Sequence, residues 1–559
     1  MPRQPLTPAE AEASAASSQA PDAASPPLRV LIVSNLFPPD VIGGAEIAAE
    51  RLATALARRG HHVKVLGGYL PGRTPGWSDT QDAGVVHRIP LLSLQPEEDF
   101  IRPEAEATFR RIASRFRPDV VHFHNLSGLG APLVRAARDY AAKVVCTLHD
   151  YWGFCRNKTN LRNDGSVCVN AEDCALCSWH ASEAGAAVPI RLRRDLIAWS
   201  LDQADALISP SQYLAARYRG TGLFSPSIRV ISNGLDLAPF ETLEPIEAGP
   251  ATEERPVAFL YVGSFGRHKG LDVLWRAAKR LHARPELRGR WSVTCIGDGP
   301  EKPSLLTAIV REGLSGFVRL EDALPHAAVP NRMAKADALI SASVWEENEP
   351  IVLLEAAAAG LALIAPRIGG VPELVADGVN GSLFEPGDDA ALALAMERYV
   401  TDAPRLARHK AANLARRPSF GIGRTVDEIV ALYRAETPYT APRRPIVLCA
   451  GQRPGAELSL ALHRAGTISP VLSQARFLPG EWLGDVVPPG TALLWLLSGD
   501  TREEAFLFAA ATEREVPVLV PRHSPFAGWS ATNARIFAYS SLLDAVCLAA
   551  AILDGGTQR

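Results

Sequence analysis

The strongest constraint on the fold of this chain is a rhythm that starts near its beginning. Leu28 to Ser34 is a short, nearly continuous apolar run, Asn35 to Gly44 is a loop punctuated by Pro and Gly, and Ala45 to Arg59 carries helical periodicity. An apolar run of this length suits a central parallel strand, which is covered on both faces and so does not alternate polar with apolar residues. His62 to Gly67 closes a first strand-helix-strand unit. Further runs at Val85–Ile89, Val120–His124, Lys143–Leu148 and Ala206–Ser209, with helices at about 102–116, 131–141 and 190–203, continue it. The pattern predicts an α/β fold with a doubly wound parallel sheet, whose ligand sites lie past the C-terminal ends of strands.

The rhythm then restarts twice. Residues 241–255, rich in Glu, Pro and Ala, read as a linker, after which strands are expected at Val257–Val262, Trp291–Ile296, Val318–Leu320, Ala338–Ser341 and Ala362–Ala365. A helix at about 421–436 precedes a Pro-rich linker at 437–444, and 445–559 form a further small α/β domain of unassigned role. Its expected strands are Ile446–Cys449, Ala492–Leu497 and Val516–Val520, its helices about 455–465, 501–514 and 540–553. The chain therefore divides into 28–240, 256–436 and 445–559, preceded by an Ala-, Ser- and Pro-rich tail at 1–27 that reads as disordered. A formal net charge of −3 gives no electrostatic reason to expect nucleic acid. No apolar run is long enough to span a membrane and the tail lacks a signal-peptide core, so a cytoplasmic location is expected.

Within the second domain, Glu347 and Glu355 stand across a loop-to-helix junction. Pro350 fits a helix start, and Leu353, Leu354 and Ala356 to Ala359 are good helix formers, so Glu355 is expected on a helix and Glu347 on the loop before it. Two helical turns rise about 11 Å, enough to serve both ends of an elongated ligand such as a nucleotide sugar. Its ribose suits a carboxylate, and its pyrophosphate suits helix N-termini such as the free N–H groups near Asn348 to Val352. Taken alone, the two glutamates read as a solvated face and a helix-start charge; the surrounding chain changes that weighting. Gly263, Gly266 and Gly270 keep another loop free of side chains while Arg267 and Lys269 bring positive charge, as a pyrophosphate requires. Gly297 ends the following strand, and Gly43-Gly44 opens the first helix, where backbone can approach a phosphate or simply turn tightly. His122, His124, Asn125, His149 and Asp150 lie at or just past strand ends.

In this order, the motifs resemble those of the retaining family-4 glycosyltransferases of the GT-B fold, in which two Rossmann-like parallel-sheet domains face a cleft. Glu347-Asn-Glu-Pro-Ile-Val-Leu-Leu-Glu355 is similar to that family's E-x7-E signature, and the likeness extends over about 28–435. It implies transfer of a sugar, with retention and without a catalytic metal, from a nucleotide diphosphate sugar to a hydroxyl acceptor in polysaccharide or glycoconjugate synthesis. Peripheral membrane contact through a lipid-linked acceptor is compatible with it. By resemblance, His149, Lys269 and Glu347 are catalytic. Gly43, Gly44, Gly263, Arg267, Lys269, Gly297, Asn348, Pro350, Ile351, Val352 and Glu355 bind the donor. Ser264 stands where the family has an arginine, so one phosphate-neutralising charge is lacking unless Arg267 or His268 supplies it. A GT-B-like sugar-nucleotide epimerase and a non-catalytic carbohydrate-binding subunit are the competing readings.

Cys155, Cys168, Cys174 and Cys177 crowd an insertion at 155–180. Four thiolates can close a tetrahedral structural zinc site, with His180 as a substitute ligand. Reduced thiols or an occasional disulfide fit the unusual spacing equally well.

Overall fold

The computed structural model describes residues 26–71, 86–91, 94, 102–162, 166–168, 190–436, 444, 446–450, 472, 475–479, 491–497, 502–531, 533 and 535–553. The first lobe is a seven-stranded parallel sheet in the order β3-β2-β1-β4-β5-β6-β7. Its strands are β1 (Arg29–Ser34), β2 (His62–Tyr69), β3 (Val86–Pro90), β4 (Val120–Phe123), β5 (Lys143–Thr147), β6 (Ala206–Ser209) and β7 (Ile228–Val230). The second lobe has six parallel strands in the order β10-β9-β8-β11-β12-β13. These are β8 (Val257–Val262), β9 (Trp291–Ile296), β10 (Val318–Glu321), β11 (Ala338–Ile340), β12 (Ala362–Pro366) and β13 (Gly381–Phe384). In both sheets the strand order reverses beside the first strand, between β1 and β4 and between β8 and β11. A crevice opens at such a reversal because the connections leave in opposite directions.

Four helices matter for the site: α1 (Gly44–Arg58), α2 (Ile190–Leu201), α3 (Ile351–Ala358) and α4 (Ile422–Arg434). α4 returns from the second lobe to the first and buries Val426, Ile429, Leu432 and Tyr433 against Leu52 and Leu56 of α1. This return explains why β7 stops at Val230. Leu235 instead exchanges backbone hydrogen bonds with the start of α4, donating to Phe420 O at 2.8 Å and accepting from Ile422 N at 2.8 Å. The helix expected at about 131–141 shrinks to Leu133–Ala137, since the chain beyond it tightens into three-residue turns such as Arg138 N to Arg135 O.

The C-terminal region forms a third, five-stranded parallel sheet in the order β15-β14-β16-β17-β18. Its strands are β14 (Ile446–Ala450), β15 (Arg476–Pro479), β16 (Thr491–Leu496), β17 (Val518–Pro521) and β18 (Ile536–Tyr539). β15 and β18 were not anticipated; each has four residues, and β15 opens on a fully buried arginine, which breaks an apolar run. The helix expected at 455–465 lies outside the described residues.

α2 belongs to two bodies at once. Ile197, Ala198 and Leu201 join the core of the first lobe, while Leu192 packs with Phe477 and Trp495, and Leu196 and Trp199 pack with Ile446 and Leu494. The helix turns apolar residues to two sides, and the third sheet covers those that face away from the first lobe. Buried polar groups fix the register: Asp195 receives Arg191 Nε at 2.7 Å and Phe477 N at 3.1 Å, and Arg476 pairs with Asp202 at 3.2 Å.

Candidate active site

The site is built where α1 of one lobe meets α3 of the other. Pro350 caps α3 with φ −66°, and the helix is apolar around its circumference, so it is buried and carries Glu355 inward with only 3% of its surface exposed. A carboxylate so enclosed needs a charged partner. Arg51, two turns into α1, donates Nη2 to Glu355 Oε1 at 2.5 Å, and His326 Nε2 lies 2.8 Å from the same oxygen. Burial pushes this carboxyl up, but the His326 hydrogen bond and the Arg51 charge outweigh it and hold Glu355 below the usual carboxylate range. Arg51 Nη1 is buried without a partner.

Glu347 is held in the same manner. Its Oε1 accepts from Lys269 Nζ at 2.6 Å, Ser343 Oγ at 2.7 Å and Trp345 Nε1 at 2.8 Å. Burial again raises the carboxyl, and Lys269, Ser343 and Trp345 together bring it below its ordinary value. Lys269 also sits 5.0 Å from the Trp345 ring centroid, a cation-π contact that fixes its direction. The turn that delivers Lys269 depends on Gly270, at φ 67°, where an added Cβ would fall 1.9 Å from the Ala342 carbonyl oxygen.

Gly263 and Gly297 pass so closely that a Cβ on Gly297 would overlap the Gly263 carbonyl. Arg267 is exposed and makes no ion pair among the described residues, while Ser264 is exposed and uses its carbonyl to accept Tyr261 Oη at 2.9 Å. Across the cleft, Gly43 N is already taken by Glu46 Oε2 at 2.8 Å, and a Cβ on Gly44 would stand 3.0 Å from Ile351 Cδ1. The N-termini of α1 and α3 therefore adjoin, and Ile351 and Val352 lie in the first turn of α3, whose N–H groups have no intrahelical acceptor. Asn348 donates Nδ2 to the carbonyl of His149 at 2.8 Å, and its Oδ1 is buried without a partner.

His149 follows β5, with Nε2 2.9 Å from His124 Nδ1. His122 is enclosed between Tyr433 and Thr147. Asn125 accepts Asn35 N on its backbone at 2.6 Å, which ties the chain after β4 to the chain after β1; its side chain accepts Ser127 N at 3.0 Å and Asp150 accepts Trp152 N at 2.7 Å, both local turn contacts.

The cysteine cluster is only partly in view. Cys155 and Cys168 are half-buried, Cys174, Cys177 and His180 lie outside the described residues, and among the described residues no group of three or more His, Cys, Asp or Glu is placed to hold a metal.

Sequence reasoning missed Arg51, His326, Ser343, Trp345 and Glu346. Ser343 and Trp345 stand four and two residues before Glu347 and were open to suspicion on proximity alone. Arg51 and His326 carry no local signal, since only the meeting of the lobes brings them to Glu355.

Comparison with known proteins decides the family. Residues 42–239 match the model "Glycosyltransferase Family 4" and residues 244–417 match "Glycosyl transferases group 1", so adjoining models cover both lobes. The chain belongs to glycosyltransferase family 4. It is a retaining GT-B glycosyltransferase that uses a nucleotide-sugar donor, with a third parallel sheet beyond the matched region. It is 29% identical over 412 residues to a glycogen synthase of Mycobacterium tuberculosis, covering 69% of this chain and 88% of that one. It is 28% identical over 429 residues to D-inositol 3-phosphate glycosyltransferase 1 of Catenulispora acidiphila, covering 74% and 96%. Among solved structures, sucrose-phosphate synthase from Thermosynechococcus elongatus shares the fold with a TM-score of 0.54 at 20% identity, over 72% of this chain and 98% of that one. Anabaena Alr3699/HepE in complex with UDP shares it with a TM-score of 0.50 at 19% identity, over the same shares of 72% and 98%. Among the described residues no helix is long and apolar enough to cross a membrane.

Proposed function

We propose that this glycosyltransferase grips a nucleoside diphosphate sugar between α1 and α3 and passes the sugar to a hydroxyl of a saccharide or glycoconjugate acceptor. The observation that supports the reading is that the loop and helix bearing Glu347 and Glu355 hold Lys269 and Arg51 by ion pairs and meet the N-terminus of α1, with Gly44 against Ile351. Breaking the glycosyl-phosphate bond builds negative charge on the departing diphosphate and positive character on the sugar. Fixed positive groups lower that barrier because they need no reorganisation as the charge develops.

In this reading Lys269, aimed by Glu347 and Trp345, and the first turns of α1 and α3 receive the diphosphate. Glu355 takes the ribose hydroxyls, with Arg51 Nη1 as an added donor. Glu347, Asn348, Ile351, Val352 and His149 orient the sugar, and the acceptor proton passes to the leaving oxygen. Gly43, Gly44, Gly263 and Gly297 admit the ligand by lacking side chains, and Pro350 sets the start of α3. Arg267, exposed beside Lys269, supplies the second charge where Ser264 leaves a gap. The lobes need no catalytic metal for this chemistry, and the cysteine insertion holds a structural zinc when all four thiolates converge.

HepE binds UDP, and the same fold makes UDP the first nucleotide to test here. The experiment is thermal unfolding with UDP, GDP and ADP, followed by a panel of the corresponding nucleotide glucoses assayed for nucleotide release with and without saccharide acceptors. A nucleotide at a hundred times its Kd adds about 2.7 kcal/mol of stability. No shift with any of the three, and no release from any donor, would refute the reading.

A further inference from the structure

Three histidines form a column at the ends of β4 and β5. The rings of His122 and His124 stack with centroids 4.6 Å apart, and those of His124 and His149 with centroids 5.2 Å apart. His122 is fully used, with Nδ1 2.6 Å from the Tyr433 hydroxyl of α4 and Nε2 2.7 Å from Thr147 Oγ1. His124 is used on one side only: Nδ1 lies 2.9 Å from His149 Nε2, and its own Nε2 is buried without a partner.

Between neutral rings, one nitrogen in that short contact carries the proton and the other a lone pair. Burial without a partner is rarer for an N–H than for an acceptor, so the bare nitrogen of His124 is Nε2 and its proton sits on Nδ1, facing His149. His149 Nε2 then accepts, which puts the proton of His149 on Nδ1, a nitrogen that no described residue hydrogen-bonds. We propose that His124 is a positioning residue that donates to His149 Nε2 and thereby fixes the tautomer in which His149 offers Nδ1–H to the sugar donor. This rests on the role given to His149 above and adds the residue that decides which nitrogen donates.

The surroundings keep the column uncharged. The groups facing His149 are His122 on β4 and His124 just past its end, with Tyr433 of α4 behind them and Asp150 beside it; Glu46 of α1 lies near Asp150. Burial lowers His149 to about 4 and His122 to about 3, and holds His124 well below its ordinary value. The unaltered enzyme therefore shows no activity limb from His149 above pH 5.

The direct test is nitrogen-15 NMR of the full chain labelled at histidine, which distinguishes Nδ1–H from Nε2–H. Nδ1–H on His149 supports the proposal, and Nε2–H overturns it. Kinetics with UDP-glucose, or whichever donor of the panel is turned over, give a second test. His149→Ala should lower kcat on the order of a hundredfold. His124→Phe should lower it about tenfold, because the neutral ring of His149 is then free to take the Nε2–H tautomer and withdraw its Nδ1–H. His124→Gln, which restores an N–H donor to His149 Nε2, should recover most of the rate. A His124→Phe enzyme with unchanged rate, beside a His149→Ala enzyme that is impaired, overturns the proposal alone. An unimpaired His149→Ala enzyme overturns the role of His149 as well.

Discussion

Arg51 of the first lobe and Glu355 of the second meet at 2.5 Å, with side-chain exposures of 10% and 5%. Removing one member of a buried ion pair leaves the other uncompensated, which costs about 3–5 kcal/mol. Arg51→Ala should therefore lower the midpoint of unfolding and weaken nucleotide binding together. Arg51→Lys should restore part of both, measured by thermal unfolding and by calorimetric titration with UDP.

Glu347 and Glu355 both have folded pKa values below their ordinary 4.5. A lowered carboxylate pKa contributes stability that is complete above the unfolded value and lost as pH falls through the folded one. The protein should lose stability steadily as pH drops below about 4.5, and Glu355→Gln should flatten that loss. Urea midpoints between pH 6 and pH 3 check the slope.

Glu349 should behave in the opposite sense. It accepts Ser232 Oγ at 2.5 Å and Asn233 N at 2.6 Å from the first lobe, and burial pushes it up to about 8. A raised carboxyl is neutral in the folded protein where the unfolded chain is already ionised, so its cost grows from pH 4.5 and levels off above 8. Glu349→Gln should leave the melting temperature unchanged near pH 4 and raise it at pH 9.

Glu346 ties the donor loop to the start of the cysteine insertion. Its side chain accepts Asn160 Nδ2 at 2.8 Å and the Tyr213 hydroxyl, while Tyr151 Oη donates to its backbone carbonyl at 3.0 Å. Because Glu347 is the next residue, Asn160→Ala should disturb the donor loop from the other lobe. The expected result is a loss of about 1–3 kcal/mol in stability and a lower kcat, with Glu346→Gln recovering less than the Asn160→Asp, Glu346→Gln pair.

The third sheet should prove inseparable from the first lobe. Trp199→Ala removes an aromatic ring packed against Ile446 and Leu494 and should cost about 3–5 kcal/mol. A chain ending at residue 436 would expose Leu192, Leu196 and Trp199 and should aggregate. Differential scanning calorimetry checks the first and light scattering the second.

Much of this architecture was legible because both lobes use the simplest signal a sequence offers, an apolar run followed by a turn and an amphipathic helix. Val257–Val262 and Trp291–Ile296 were located to the residue. The place of Glu355 on a helix and of Glu347 on the loop before it was legible from the helix formers around them. Partners that arise from the closing of two lobes were not. Arg51 looks like any basic residue on an amphipathic helix, and the shared use of α2 by two cores is not visible in a segment where apolar residues mix with Arg191, Arg193, Arg194 and Asp195. The end of β7 depends on the capture of the following chain by α4, a contact between segments nearly two hundred residues apart.

The central claim is that Lys269, held by Glu347, neutralises the departing diphosphate. The measurement that tests it most directly is kcat for Lys269→Ala against the unaltered enzyme with the donor identified by the panel, at saturating donor and equal folded fraction. The account predicts a loss on the order of a hundredfold to a thousandfold, with nucleotide binding weakened less. Turnover within a few fold of the unaltered enzyme would contradict it.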